Sequence, residues 1–170
     1  EKVEIVSLLD CLGVPMIEVG IPVMGGDEAE AIRRMIALRP KAKLVGWNRG
    51  KREDLETSLA LGLSYVHIGL PASKQLLEQG LRRDRSWLLE TMADLVQWAK
   101  KRVEFVSISA EDVSRSEPDF LVQYAQVAHQ AGADRIRLSD TLGLATPNYY
   151  ANLVTRVLKE TKIAVMVHAH

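Results

Sequence analysis

The sequence predicts an α/β chain folded as most of a (β/α)8 TIM-type barrel, and three observations carry that expectation. Short apolar runs alternate with helix-period stretches along the whole chain. A glycine marks the same place in three of the helix-to-strand joints. Polar side chains recur at the C-terminal ends of nearly every expected strand. The apolar runs are Met16–Ile21, Lys43–Trp47, Tyr65–Leu70, Glu104–Ser109, Arg135–Ser139 and Ile163–Val167, each of strand length and rich in Val and Ile. Helical patterns cover Lys2–Leu12, Asp27–Leu38, Lys51–Leu61, Ser86–Lys101, Pro118–Ala131 and Pro147–Glu160. Strands that alternate with helices pair in parallel through right-handed crossovers.

Gly13, Gly62 and Gly132 each follow a helical pattern just before a strand, where a left-handed helix cap needs glycine. Thr146 is placed to cap the last helix, with Pro147 in its first turn. An open doubly wound sheet and a closed barrel both fit this alternation. The Gly-rich phosphate fingerprint of the open sheet is absent after the first strand. The polar strand ends are Glu18, Asn48, Ser109, Asp140 with Thr141, and His168 with His170. A barrel gathers them around one axis, whereas an open sheet leaves half of them at its edges. A full barrel has eight strands. The visible runs therefore read as strands two to seven, residues 1–170 forming a partial catalytic barrel. The missing initiator Met agrees with a fragment, and strands one and eight are expected outside it.

Lys+Arg and Asp+Glu both number 22, so no net field exists to collect nucleic acid. The single cysteine, Cys11, rules out an internal disulfide framework and suits a reducing cytoplasm. The apolar runs are too short to span a bilayer, and no signal peptide is visible. No nucleic-acid or membrane partner is expected.

His168 and His170 are the sharpest chemical feature. Residues i and i+2 of a strand share a face, so two imidazoles at a strand end can ligate one divalent ion, with carboxylate or water completing its shell. Glu18 sits inside an apolar strand, where a carboxylate is costly without a partner. It is either a catalytic group or one half of an ion pair with an arginine elsewhere in the barrel. Ser109 ends a strand and is a candidate for substrate contact. Glu111, Asp112 and Arg115 follow it and are expected to be mostly loop scaffolding, with Arg115 pairing to one of the acids. Thr141 can offer a hydroxyl to the barrel mouth, while Asp140 caps the next turn. Asn48 and Arg49 end the Lys43 strand, and Arg49 is a possible clamp for a substrate carboxylate. His67, in mid-strand, reads as a satisfied interior residue. The basic run at Arg82, Arg83 and Arg85 reads as a solvated helix approach or a contact for CoA phosphates.

Several segments together resemble one family. Ile17-Glu18-Val19-Gly20-Ile21-Pro22, the run from Ser109 to Arg115, Asp140-Thr141-Leu142-Gly143 and His168-Ala169-His170 stand in the order and spacing seen in homocitrate synthase, 2-isopropylmalate synthase and citramalate synthase. Hydroxymethylglutaryl-CoA lyase is a more distant relative. The resemblance covers essentially the whole chain and looks nearest to the homocitrate synthases of nitrogen-fixing bacteria. It implies a metal-dependent barrel enzyme of biosynthetic metabolism that condenses acetyl-CoA with a 2-oxo acid, 2-oxoglutarate being favoured. It implies Mg, Mn or Zn as the metal, His168 and His170 as two of its ligands, and Glu18, Ser109 and Thr141 in the substrate pocket. It also implies a homodimer when intact. The Asp-Arg-Glu motif, the Asn-Asp after the histidines and the acyl-CoA loop are not in the sequence, so this stretch alone is expected to be inactive.

Departures narrow the reading. Ser107, Trp47 and Met166 stand where lysine-pathway homocitrate synthases typically show Arg, His and Glu. Isopropylmalate-type and citramalate-type condensation, a lyase using the same metal site, and a non-catalytic barrel remnant stay open as alternatives.

Overall fold

The computed structural model describes all residues, Glu1–His170. Six strands, β1 Met16–Gly20, β2 Lys43–Arg49, β3 Tyr65–Pro71, β4 Phe105–Glu111, β5 Arg135–Asp140 and β6 Ala164–Ala169, form one sheet in sequential order with every pair parallel. Helices α1 Lys2–Cys11, α2 Gly26–Ala37, α3 Arg52–Ala60, α4 Arg85–Lys100, α5 Pro118–Ala131 and α6 Pro147–Thr161 alternate with the strands. The sheet is a curled half-barrel with helices on one face, as the alternation predicts.

The glycine joints are three copies of one device. Gly13, Gly62 and Gly132 have φ of +78°, +93° and +99°. In each joint the glycine N–H donates three residues back, and the next N–H donates five residues back: Gly13 to Asp10 and Val14 to Leu9, Gly62 to Leu59 and Leu63 to Ser58, Gly132 to His129 and Ala133 to Ala128. This is the Schellman cap, which satisfies the last helical carbonyls and turns the chain into the next strand. Thr146 accepts from the Tyr149 N–H at 3.2 Å, as a cap should.

Alternation along the strands sorts their side chains. Val66, Ile68 and Leu70 of β3, Val106, Ile108 and Ala110 of β4, and Ile136 and Leu138 of β5 pack against helices in the main core, with Leu88, Met92, Leu121 and Tyr124. A second cluster joins Ile17 and Val19 of β1 to Val6, Ile32 and Met35. Opposite-parity residues therefore face the barrel interior. The register sets them in rows: Trp47, His67, Ser107, Arg135 and Ala164 in one; Gly69, Ser109, Arg137 and Met166 in the next; Pro71, Glu111, Ser139 and His168 nearest the rim.

Most strands run one or two residues past their apolar runs. That extension puts Glu111 on a strand rather than in a loop. A π-helical turn, Gln75–Leu81, also lies between β3 and α4, where no helical pattern is expected from the residues.

Candidate functional site

His168 lies on the interior face of β6, and His170 follows one residue past the strand's end. Their rings are 4.8 Å apart between centroids and tilted by 42°. Tyr150 of α6 fixes the backbone there. Its hydroxyl lies 2.6 Å from the Leu138 carbonyl and 3.0 Å from that of His168, and it accepts from the Asp140 N–H. Burial, then the Arg137 guanidinium and His170, push the His168 imidazole below its ordinary value, which favours the neutral ligating form. The pair fits two corners of a divalent ion's shell. No group of three or more His, Cys, Asp or Glu is gathered, so carboxylate, water or substrate must supply the rest.

Glu18 faces the same interior and forms an ion pair with Arg137, 119 residues away. The ion-pair reading of Glu18 is thus realised, with an arginine of the barrel interior. Arg137 went unnoticed as a candidate, although the alternation Arg135-Ile136-Arg137-Leu138-Ser139 marks it as an interior residue.

Glu111 corrects the expectation of scaffolding. As the last residue of β4 it turns into a cavity of about 540 Å³ lined by Trp47, Arg49, Gly69, Leu76, Trp87 and others. A methyl at Gly69 would stand 2.5 Å from the Trp47 ring and 2.7 Å from Glu111 Oε1, so only glycine lets these groups meet. Burial pushes the Glu111 carboxyl up from 4.5, with Arg137 opposing. Asp112 and Arg115 are scaffold, as expected. Asp112 is buried at φ +65°, receives Ser73 Oγ at 2.5 Å, and pairs with Arg115.

Thr141 stands at the rim and accepts the Asp112 N–H at 2.9 Å, tying the ends of β4 and β5 together; its O–H can still donate. Asp140 caps its turn through the Leu144 and Ala145 N–H groups. Ser109 is inward and buried; its Oγ makes no full hydrogen bond but faces the Glu111 carboxyl, which it helps Arg137 hold down against burial.

Asn48 is not brought to the mouth. It has the opposite parity to Trp47 and turns toward α3, donating to the Gly46 and His67 carbonyls and accepting from Ser58 Oγ at 2.5 Å. Arg49 reaches the cavity lip, but Asp54 of α3 holds its Nε at 2.8 Å and its Nη2 at 2.9 Å. Arg82 and Arg83 line an adjoining hollow with Trp87, while Arg85 pairs with Glu117.

His67 is the interior residue expected, though only half satisfied. Its Nδ1 is 3.0 Å from Ser107 Oγ and its Nε2 has no partner. Burial, then Arg137 and Arg135, hold the ring well below 6.5. The unfolded chain's imidazole takes a proton near that pH and the buried ring does not. Unfolding therefore binds protons, and stability falls as pH drops below about 6.5 toward the folded value. Urea titrations at about pH 7.5 and pH 5 should show the loss, and His67→Asn should shrink it. An unchanged pH dependence in the variant would assign the loss to other groups.

With this geometry in place, the comparisons define the class. The HMGL-like family matches residues 1–170, and the chain belongs to that family. It is 50% identical over 169 residues to 2-phosphonomethylmalate synthase of Streptomyces rubellomurinus, covering 99% of this chain and 45% of that protein. It is 39% identical over its whole length to 2-isopropylmalate synthase 2 of Caldanaerobacter subterraneus subsp. tengcongensis, covering 44% of that protein. It is 33% identical, again over its whole length, to the homocitrate synthase subunit alpha of Clostridium pasteurianum, covering 63% of it. The chain thus spans less than two thirds of these relatives. The resemblance to homocitrate synthases holds, but at lower identity than that to the phosphonomethylmalate enzyme. The fold matches hydroxymethylglutaryl-CoA lyase of Pseudomonas aeruginosa with a TM-score of 0.85 at 21% identity, over 99% of this chain and 60% of that one. No helix is long and apolar enough to cross a membrane.

Proposed function

We propose that the protein carrying this chain is a cytosolic, homodimeric enzyme that condenses acetyl-CoA with the ketone of a 2-oxo acid. The observation that carries the reading is the rim row, in which a partly buried acid (Glu111), a hydroxyl (Ser139) and one of a histidine pair (His168) lie side by side on three strands. The relatives' products support it chemically. Phosphonomethylmalate, isopropylmalate and homocitrate each combine a tertiary hydroxy acid with a carboxymethyl arm, which is what an acetyl unit leaves on a 2-oxo acid.

In this reading Glu111, as carboxylate, accepts a proton from the thioester methyl group. The C–H electron pair forms the new bond to the ketone carbon, and water then cleaves the thioester to release the CoA thiol. A divalent ion (Mg, Mn or Zn), when bound at His168 and His170, supplies a Lewis acid for the ketone. Thr141 and Ser109 donate hydrogen bonds to the acceptor, and Glu18 acts by holding Arg137. Trp47, Leu76 and Trp87 shield the thioester from water, while Arg49, Arg82 and Arg83 meet anionic groups at the cavity lip. Asn48 contributes by fixing β2 against α3.

The acceptor carries a second anionic group. 2-Oxoglutarate, giving homocitrate, is the first reading. The 50% identity to a phosphonomethylmalate synthase favours a second, 3-phosphonopyruvate. Thiol release by the full-length protein, given acetyl-CoA and a panel of 2-oxo acids, tests both. An anionic-tailed acceptor should be fastest. A faster reaction with 2-oxoisovalerate would move the protein to the isopropylmalate branch, and cleavage of a hydroxyacyl-CoA without condensation would make it a lyase.

A further inference from the structure

The interior holds an arginine whose surroundings are not complete. Arg137 lies on the inward face of β5 and is only 6% exposed. A buried guanidinium is tolerated only when its charge and its N–H groups are met. Glu18 meets the charge through Nη2, from a carboxylate that is itself 37% exposed. A guanidinium has five N–H donors, more than one carboxylate can occupy. Arg137 Nε is buried with no partner. The Ser139 hydroxyl, also interior, is buried without a partner as well, and the Ser109 hydroxyl has none beyond a weak contact with the Glu111 carboxyl. Ser109 is paired in register with Arg137, and Ser139 is two residues further along the same strand. Gly69, next in the Arg137 row, adds no bulk. Arg137 Nε and the Ser139 hydroxyl thus stay unmet beside the rim row of Glu111 and His168, while the Ser109 hydroxyl faces the Glu111 carboxyl.

We propose that Arg137 is the specificity-determining cation of the site: its guanidinium, with the unmet Ser139 hydroxyl two residues along the same strand, receives the second anionic group, carboxylate or phosphonate, of the 2-oxo acid. This rests on the condensation reading above and names the substrate class of that site. Arg49 is the rival cation, but Asp54 occupies both its Nε and its Nη2. Arg137 keeps an edge for the ligand. A charged tail entering a poorly solvated interior gains most from a charge-assisted contact of this kind. A neutral branched tail would leave Arg137 Nε and the Ser139 hydroxyl unmet.

The test uses the full-length enzyme and its Arg137→Gln, Arg137→Lys and Ser139→Ala variants. Thiol release is measured with 2-oxoglutarate and 3-phosphonopyruvate, and with neutral-tailed 2-oxoisovalerate and pyruvate. Arg137→Gln should lower kcat/KM for the preferred anionic-tailed acceptor about 10- to 100-fold more than for the neutral-tailed ones, mainly through KM. Whichever anion shows the larger selective loss identifies the source, carboxylate or phosphonate. Arg137→Lys should recover part of the loss. Ser139→Ala leaves the Glu18 pair intact and should show a smaller loss of the same selectivity, which keeps the proposal testable if Arg137→Gln misfolds. Equal losses on all acceptors would make Arg137 a mere strut for Glu18 and overturn the proposal. Calorimetric titration with each 2-oxo acid alone separates the two readings. If no acceptor supports thiol release, the condensation reading fails. Arg137-dependent binding of an anionic-tailed acid would then still support the subsite, and its absence would overturn that too.

Discussion

Replacing either His168 or His170 with alanine is expected to strip divalent-metal binding from the full-length protein. Thiol release should fall by more than the roughly 100-fold that loss of a supporting outer-shell group costs a metal site. The two imidazoles stand 4.8 Å apart, His168 on the interior face of β6 and His170 just past its end, because the i, i+2 spacing of extended chain keeps them on one side. Their backbone is fixed by register with β5 and by the Tyr150 hydroxyl at the His168 carbonyl. The neighbouring Arg137 charge repels a cation, so two ring nitrogens alone hold it weakly, and losing one removes half of what this chain contributes. Metal content after dialysis and calorimetric titration with Mn or Zn would measure the effect. Stoichiometric metal retained by His168→Ala would take the site elsewhere.

Much of this was legible in the sequence because local rules act alone there. The three glycine caps, the Thr146 cap and the shared face of the histidines each depend on a few adjacent residues, and all hold. Interior assignment was legible only where alternation was clean. Glu18 lies between Ile17 and Val19, and Arg137 between Ile136 and Leu138, so parity points both inward. In Val45-Gly46-Trp47-Asn48 no such contrast exists, because strands of a parallel sheet bury both faces. Asn48 therefore passed for a mouth residue when it faces α3. Glu111 was hidden by a boundary error of two residues: placed in a loop it reads as a solvated acid, and placed on β4 it enters a cavity. The Glu18–Arg137 pair was beyond local reasoning. The residues occupy different hydrogen-bonded rows and meet only because the strands of a closing sheet tilt and stagger.

Glu111→Gln is the second large effect expected, a fall in kcat of about 10²- to 10⁴-fold, the usual contribution of a positioned general base. The methyl group of a thioester is a weak acid, and a carboxylate in water is a poor base for it. In the cavity the Glu111 carboxyl is pushed up from 4.5 by burial, despite the opposing Arg137 charge, which makes its ionised form a better proton acceptor. Trp47 meets it across Gly69 and gives the cavity an apolar wall beside the carboxylate. The sign of the pH effect follows. Glu111 must be ionised to work, so kcat/KM should decline as pH falls through a value above 4.5, and that acid limb should vanish from the residual activity of Glu111→Gln. Glu111→Asp keeps the acid but withdraws it by one methylene. It should retain the limb at a reduced rate, because proton transfer depends on reach before it depends on acidity. A Gln variant that keeps more than about a tenth of the wild-type rate, well outside the range of a lost general base, would leave Glu111 a packing residue and return the search for the base to the rest of the protein.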